Sequence, residues 1–220
     1  MEMTLYLSEK FISNTHDCFP LRESWKDFLA LEKIMKVISE ISTIITFEVE
    51  RGKIIEPELP LMFRAFTVSF DKIKAIIIGQ DPTPVPGMAT GLAFSLDIGA
   101  DPIICPSVFN ILVELKWEGF DVGLTNGDLS PWVEQGLLLS NVALTIEGRD
   151  IGSHQALWRR FTQLLVGFLS TKAPPSAWIL WGNEAQVFDQ FINNKKHYKN
   201  GGHPSPMAAK NVFGGVLHFC

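Results

Sequence analysis

Three short apolar stretches that stop abruptly at Gly or Asn set the strongest limit on how this chain can fold. Ile73–Ile78 ends at Gly79, Leu137–Leu139 runs into Asn141, and Ala177–Trp181 ends at Gly182. Runs of this length without polar alternation read as strands buried on both faces, as in a parallel sheet. Between them the apolar residues change to a helical period: Val108, Ile111, Leu112 and Leu115, then Leu157, Phe161, Leu164, Leu165 and Phe168. A further helix is expected after Gly182 through Val187, Phe188 and Phe191. The N-terminal third carries one with Leu31, Ile34, Met35, Ile38 and Ile41 on one face. Ser107 is expected to cap one of these helices and Ser153 to open another. Strands alternating with helices predict an α/β chain whose ligands lie beyond the carboxyl ends of the strands. Asp81, Asn141 and Gly182 all fall at such ends, on one edge of the molecule.

With 220 residues, 46% of them hydrophobic, the chain can bury one sizeable core. A single domain over 1–220 is expected, with a helical N-terminal part (1–70) and an α/β core (71–220). The start, MEMTLYLSEKFIS, lacks the basic flank and apolar stretch of a secretory signal. No apolar run approaches the roughly 18 residues of a membrane span. These features predict a soluble monomer without membrane contact, cytoplasmic near the nucleoid in a bacterium, nuclear or organellar in a eukaryote. Cys18, Cys105 and Cys220 are odd in number, far apart and without a CxxC pair, which fits free thiols in a reducing compartment. A net charge of −5 argues against a protein that coats nucleic acid, and leaves room for one that grips a few phosphates locally. Lys195, Lys196, His197 and Lys199, with Lys210 beyond, form the one basic cluster beside a candidate motif.

That motif is HPSP, His203–Pro206, and its counterpart is GQDP, Gly79–Pro82. Alone, each could be a turn: Asp-Pro and Pro-Gly steps bend chains, and an Asp there often bonds its own backbone. Together they stand at the two ends of an ordered series: GQDPTPVPGMATGLAFS (Gly79–Ser95), CPSVFNI (Cys105–Ile111), NGDLSPW (Asn126–Trp132), QGLLLSNVALT (Gln135–Thr145), SH (Ser153–His154), LWG (Leu180–Gly182) and HPSPMAA (His203–Ala209). In order and spacing this series resembles the family-1 uracil-DNA glycosylases from about Ile73 to Phe219. The pattern is nearest the actinobacterial branch, which also has Pro where others end GQDPYH in His.

The resemblance implies a three-layer α/β/α fold on a central, mostly parallel four-stranded sheet. It implies a hydrolase that flips uracil out of single- or double-stranded DNA and cleaves its N-glycosidic bond, with no cofactor and no metal. Asp81 would stabilise the cationic sugar and orient water, and His203 would donate, as a neutral ring, to the uracil carbonyl. Asn141 would read the O4 and N3–H edge, Phe94 would stack on the base, and Gln80 and Thr83 would complete the pocket. Pro106, Ser107, Ser153, His154 and Ser205 would hold the DNA backbone, and Met207, in place of the family's usual Leu, would fill the vacated space in the duplex. A proteinaceous glycosylase inhibitor is a further partner that the resemblance admits.

The departures from the family are specific. Thr83 stands where the family has a Tyr that excludes the thymine methyl, so a looser pocket that admits thymine or 5-substituted uracils is one alternative. A weakly active DNA-binding or replication module is another, against which Asp81, Asn141 and His203 stand together. The segment KKHYKNGG before His203 is polar where the family has an apolar strand, which predicts a short or frayed last strand. Ser140 replaces a Leu, and the chain stops at HFC soon after the HPSP loop, where relatives continue into a helix.

Overall fold

The computed structural model describes residues 23–193 and 198–206 of the chain. Four strands make the central sheet: β2 (Ala75–Gly79), β3 (Leu137–Asn141), β5 (Ala177–Trp181) and β6 (Tyr198–Gly201), in the order β3-β2-β5-β6. All three pairings are parallel, with Gly79 opposite Asn141 and Trp181 opposite Gly201. A two-residue antiparallel ribbon, β1 (Ile55–Glu56) with β4 (Ile146–Glu147), lies outside it. Ile76, Ile77 and Ile78 of β2, and Leu138, Leu139 and Ser140 of β3, are all buried, so both faces of the sheet are covered and alternation has no use. The fold is α/β, as the apolar runs imply.

The helices are α1 (Lys26–Leu29), α2 (Glu32–Glu50), α3 (Pro106–Trp117), α4 (Ser130–Glu134), α5 (Gln155–Lys172) and α6 (Asn183–Gln186). In α2 the buried face is Ile34, Val37, Ile38, Ile41 and Ile45, and it packs on α5. Helix α5 turns Trp158, Phe161, Leu165 and Leu169 inward. Among the described residues no helix is long and apolar enough to cross a membrane.

Several local expectations are corrected. The first core strand starts at Ala75, because Phe70–Lys72 forms a 3-10 turn that keeps Ile73 buried but outside the ladder. Ser107 is not a cap: α3 begins at Pro106 after Cys105, and proline suits the first helical position, where its missing N–H has no intrahelical partner anyway. Ser153 does not cap α5, which begins at Gln155 after His154; its hydroxyl accepts instead from the Glu147 amide at 2.9 Å. The stretch after β5 is not one helix but the single turn of α6 followed by a 3-10 turn, Asp189–Phe191, with Phe188 buried between them. The polar, glycine-rich segment expected to give a short or frayed strand is short, at four residues, yet all four pair with β5, since an edge strand is held by its backbone ladder whatever its side chains.

An aromatic cluster ties the N-terminal helices to the rest. Trp25 is fully buried and donates its indole N–H to the Val68 carbonyl at 2.7 Å. Its ring meets Phe66 edge-on at 4.9 Å and Phe70 at 5.2 Å, while Phe28 reaches Phe161 at 5.9 Å and Phe168 at 5.1 Å on α5. Such pairs add to the burial of area itself. Truncation of Trp25 to Ala is therefore expected to cost about 3–5 kcal/mol. In urea denaturation the whole unfolding transition should move; an unmoved main transition with a separate early one would show that the N-terminal helices unfold on their own.

Candidate active site

The sheet order creates the site. The chain leaves β2 toward β3 on one side and leaves β5 toward β6 on the other, so a crevice opens between the carboxyl ends of β2 and β5. GQDP follows β2, Gly182 follows β5 and His203 follows β6. A cleft of about 740 Å³ occupies this edge, lined in part by Gln80, Asp81, Thr83, Phe94, Ser107 and His203. Asn141 ends β3 directly opposite Gly79 and is only 5% exposed.

Two glycines make room for these side chains. A Cβ on Gly79 would stand 2.4 Å from the Asn141 side-chain oxygen and 3.1 Å from the Phe94 ring. Gly182, at φ +87, would place a Cβ 3.1 Å from that of His203. Any larger residue at either position pushes a site group away. Phe94 adopts a positive φ of 64 and its ring is set edge-on to Trp181 at 5.2 Å and tilted to His203 at 5.7 Å.

The hydrogen bonds of the His203 loop fix its tautomer. The Ser205 backbone N–H donates to Nδ1 at 3.1 Å, so the proton of the neutral ring belongs on Nε2. The Asn110 side-chain amide of α3 donates to the Pro204 carbonyl at 2.7 Å and anchors the loop. Burial holds the His203 pKa below the usual 6.5, since the charged ring is poorly solvated there. The ring is therefore a neutral donor through Nε2.

Asp81 is held differently. Its Oδ2 accepts from Gln80 Nε2 at 2.8 Å and from Gln155 Nε2 at 2.9 Å, whereas Oδ1 is buried without a hydrogen bond. Burial raises its pKa above the usual 3.8, against the two amides and the nearby Gly152 backbone, which favour the charge; the Glu184 carboxylate adds a further push upward.

The other sequence-expected residues divide. Ser107 and Ser205 line the cleft, and Pro106 is exposed beside Ser107. Thr83 lines it with only 8% of its surface exposed. Ser153 is exposed on the loop before α5 but outside the cleft lining. His154 does not present its side chain to a ligand: it is 3% exposed, with Nδ1 2.8 Å from the Thr145 hydroxyl and Nε2 3.0 Å from Glu48 Oε2. Met207 and Lys210 lie outside the described residues, as do Lys195, Lys196 and His197. Gln155, Glu184 and the exposed Ile151, all near the carboxylate or the cleft, were missed by sequence reasoning; only their nearness to the SH and LWG motifs could have signalled them. Among the described residues no group of three or more His, Cys, Asp or Glu side chains is placed to hold a metal ion.

No protein-family model matches the chain. A uracil-DNA glycosylase of Corynebacterium efficiens is 34% identical over 207 residues, 93% of this chain and 85% of that protein. Uracil-DNA glycosylase 2 of Bacteroides fragilis is 38% identical over 202 residues, covering 90% of each chain. The solved mimivirus uracil-DNA glycosylase superposes with a TM-score of 0.76 at 27% identity, over 84% of this chain and 70% of that one. A variant of that mimivirus protein was solved in complex with UGI, with a TM-score of 0.77 over 84% of this chain and 71% of that one. On these likenesses, the chain belongs to the uracil-DNA glycosylase family.

Proposed function

We propose that the cleft binds a uracil nucleotide extruded from DNA and hydrolyses its N-glycosidic bond, as a monofunctional DNA-repair glycosylase that leaves an abasic site for base excision repair. Extrusion is needed because a stacked base is out of reach, and it costs about a few kcal/mol. As the C1′–N1 bond breaks, its electron pair leaves with uracil, and the sugar becomes a cation that water captures. Asp81 faces the cation and receives the water's proton; His203 Nε2–H donates to the uracil oxygen on which negative charge collects. Asn141 pairs with the O4 and N3–H edge, Phe94 stacks on the base, and Gln80 and Thr83 close the pocket. Ser107, Pro106, Ser205 and Ser153 grip the strand mainly through hydroxyls and backbone, which suits a chain of net charge −5. The observation that carries this reading is one cleft holding both a ring fixed as a neutral donor and a buried carboxylate.

Uracil-containing single- and double-stranded DNA is the substrate, and a proteinaceous inhibitor is proposed as a further partner, on the precedent of UGI on the mimivirus relative. A second reading rests on Thr83, the small residue at a position where the family has Tyr: the pocket also admits thymine or 5-hydroxymethyluracil.

Single-turnover cleavage of oligonucleotides carrying U, T or 5-hydroxymethyluracil tests both. Uracil excision should be robust, nearly abolished by Asp81→Asn, and reduced roughly 10²-fold or more by His203→Ala. No cleavage by the unaltered chain would overturn the proposal. Thr83→Tyr should lower cleavage of T relative to U; an unchanged ratio would sink the second reading.

The acidic limb of the kcat profile should fall as Asp81 is protonated, at a pH above that of an ordinary aspartate. The same shift bears on stability. A group whose folded pKa is raised contributes stability below its unfolded pKa, and that contribution is lost as pH rises through the folded pKa. At neutral pH the ionised Asp81 therefore weakens the fold, so Asp81→Asn should melt no earlier than the native chain while losing activity. A clear fall in Tm at pH 7 would contradict this.

A further inference from the structure

Gln155 is the first residue of an 18-residue helix, half-buried, and 74 positions away in sequence from the carboxylate it touches. Its amide and that of Gln80 converge on the same oxygen, Oδ2, at 2.9 and 2.8 Å. Two donors on one oxygen fix the rotation of a carboxylate, which a single donor does not. Oδ1, without a hydrogen bond, is the oxygen they leave over.

The base from which Gln155 reaches is rigid. The residue before it, His154, is buried, with Nδ1 2.8 Å from the Thr145 hydroxyl and Nε2 3.0 Å from Glu48 on α2. Thr145 in turn accepts from the Trp158 indole, one turn along α5, at 2.7 Å. The Gln155 amide N–H bonds the Gly152 carbonyl at 3.1 Å, and the His154 carbonyl accepts the first helical bond, from Trp158, at 3.0 Å. The start of α5 is thereby fixed on α2 and on the segment after β3. From it the Gln155 side chain reaches Asp81.

We propose that Gln155 is a positioning residue for the glycosylase reaction, holding the Asp81 carboxylate at a single rotation and in its charged form for the sugar and water. This rests on the reading of Asp81 given above. The other groups facing the carboxylate are the Gln80 amide, the Glu184 carboxylate after β5 and His203 across the cleft, which is neutral. The two side-chain amides stabilise the charge by hydrogen bonds, with the Gly152 backbone beside them. Loss of one must raise the carboxylate pKa if burial is kept.

Gln155→Leu keeps the volume and removes the donor; Gln155→Glu adds a like charge at the same reach. Steady-state cleavage of a uracil-containing oligonucleotide across pH should show kcat reduced roughly ten- to hundredfold in Gln155→Leu, with KM little changed, the scale of a misplaced reacting group. The acidic limb of kcat should move to higher pH in Gln155→Leu and further in Gln155→Glu. Each profile is normalised to its own maximum, so a smaller folded fraction cannot move the limb. A Gln155→Leu limb superimposed on that of the native chain, with kcat within about twofold, overturns the inference. Asp81→Asn run in parallel separates the two claims: if it stays active the reading of Asp81 fails, and if it is inactive while Gln155→Leu is unaffected, only the positioning role fails.

Discussion

Because Gly79 has no Cβ, the Asn141 amide and the Phe94 ring can both close on the carboxyl end of β2, and the rest of the cleft is arranged around that approach. A methyl group there would meet the Asn141 oxygen at 2.4 Å, well inside contact distance. The parallel register makes the conflict unavoidable, since Gly79 and Asn141 are paired residues on neighbouring strands. The ladder continues past both strands, with Val142 N bonding Gly79 O at 2.9 Å and Ala143 N bonding Gln80 O at 3.1 Å. Asp81 therefore departs from a backbone already fixed on one side. Gly182 does for His203 what Gly79 does for Asn141, on the other wall of the crevice. The two glycines mark the points where the sheet yields volume to the site.

The electrostatics follow from the same burial. A carboxylate and an imidazole both lose hydration in the cleft, and each shifts toward its neutral form. For His203 that direction serves the proposed chemistry, in which the ring is a neutral donor. For Asp81 it opposes the proposed chemistry, in which the carboxylate is charged, and the amides of Gln80 and Gln155 work against the shift. Neutral amides are suited to this. A lysine or arginine in their place would hold the charge more strongly but would also cancel the field that the carboxylate offers to a cationic sugar. The like charge of Glu184 acts in the opposite sense and increases the need for donors.

The parts legible in the sequence were those with a strong local signal. Continuous apolar runs matched three of the four parallel strands to within two residues, and the breaks at Gly79, Asn141 and Gly182 matched the edge on which the cleft opens. Helix starts were read less well. Ser107 and Ser153 have the chemistry of caps, but Pro106 and the buried His154 decide where α3 and α5 begin, through backbone restriction in one case and a tertiary network in the other. His154 misleads for the same reason: beside an exposed serine it looks like a surface group, and only its contacts with Thr145 and Glu48 reveal an interior one. Gln155 carries no signal of its own, since its partner is distant in sequence and an amide at a helix start has many ordinary uses.

Phe94 shows how the fold tolerates a costly conformation where the site needs it. A non-glycine residue at φ 64 costs on the order of 1–3 kcal/mol, and persists only if its surroundings leave no better choice. Here they leave none. Gly91 turns at φ +78, where any Cβ would meet the Leu61 carbonyl oxygen at 1.8 Å, so the loop enters tightly packed. Ala93 N bonds Leu139 O at 3.1 Å, fixing the residue before Phe94 to β3. The buried Ser95 hydroxyl accepts from Leu129 N at 2.9 Å and fixes the residue after it. Held on both sides, Phe94 could relax its backbone only by breaking one of these bonds, at a cost comparable to the strain. In its strained state the ring lies against Trp181, His203 and Gly79, on the wall of the cleft. The strain thus sits at the aromatic proposed to stack on the base, and one of the hydrogen bonds that sustain it runs to β3, the strand that carries Asn141.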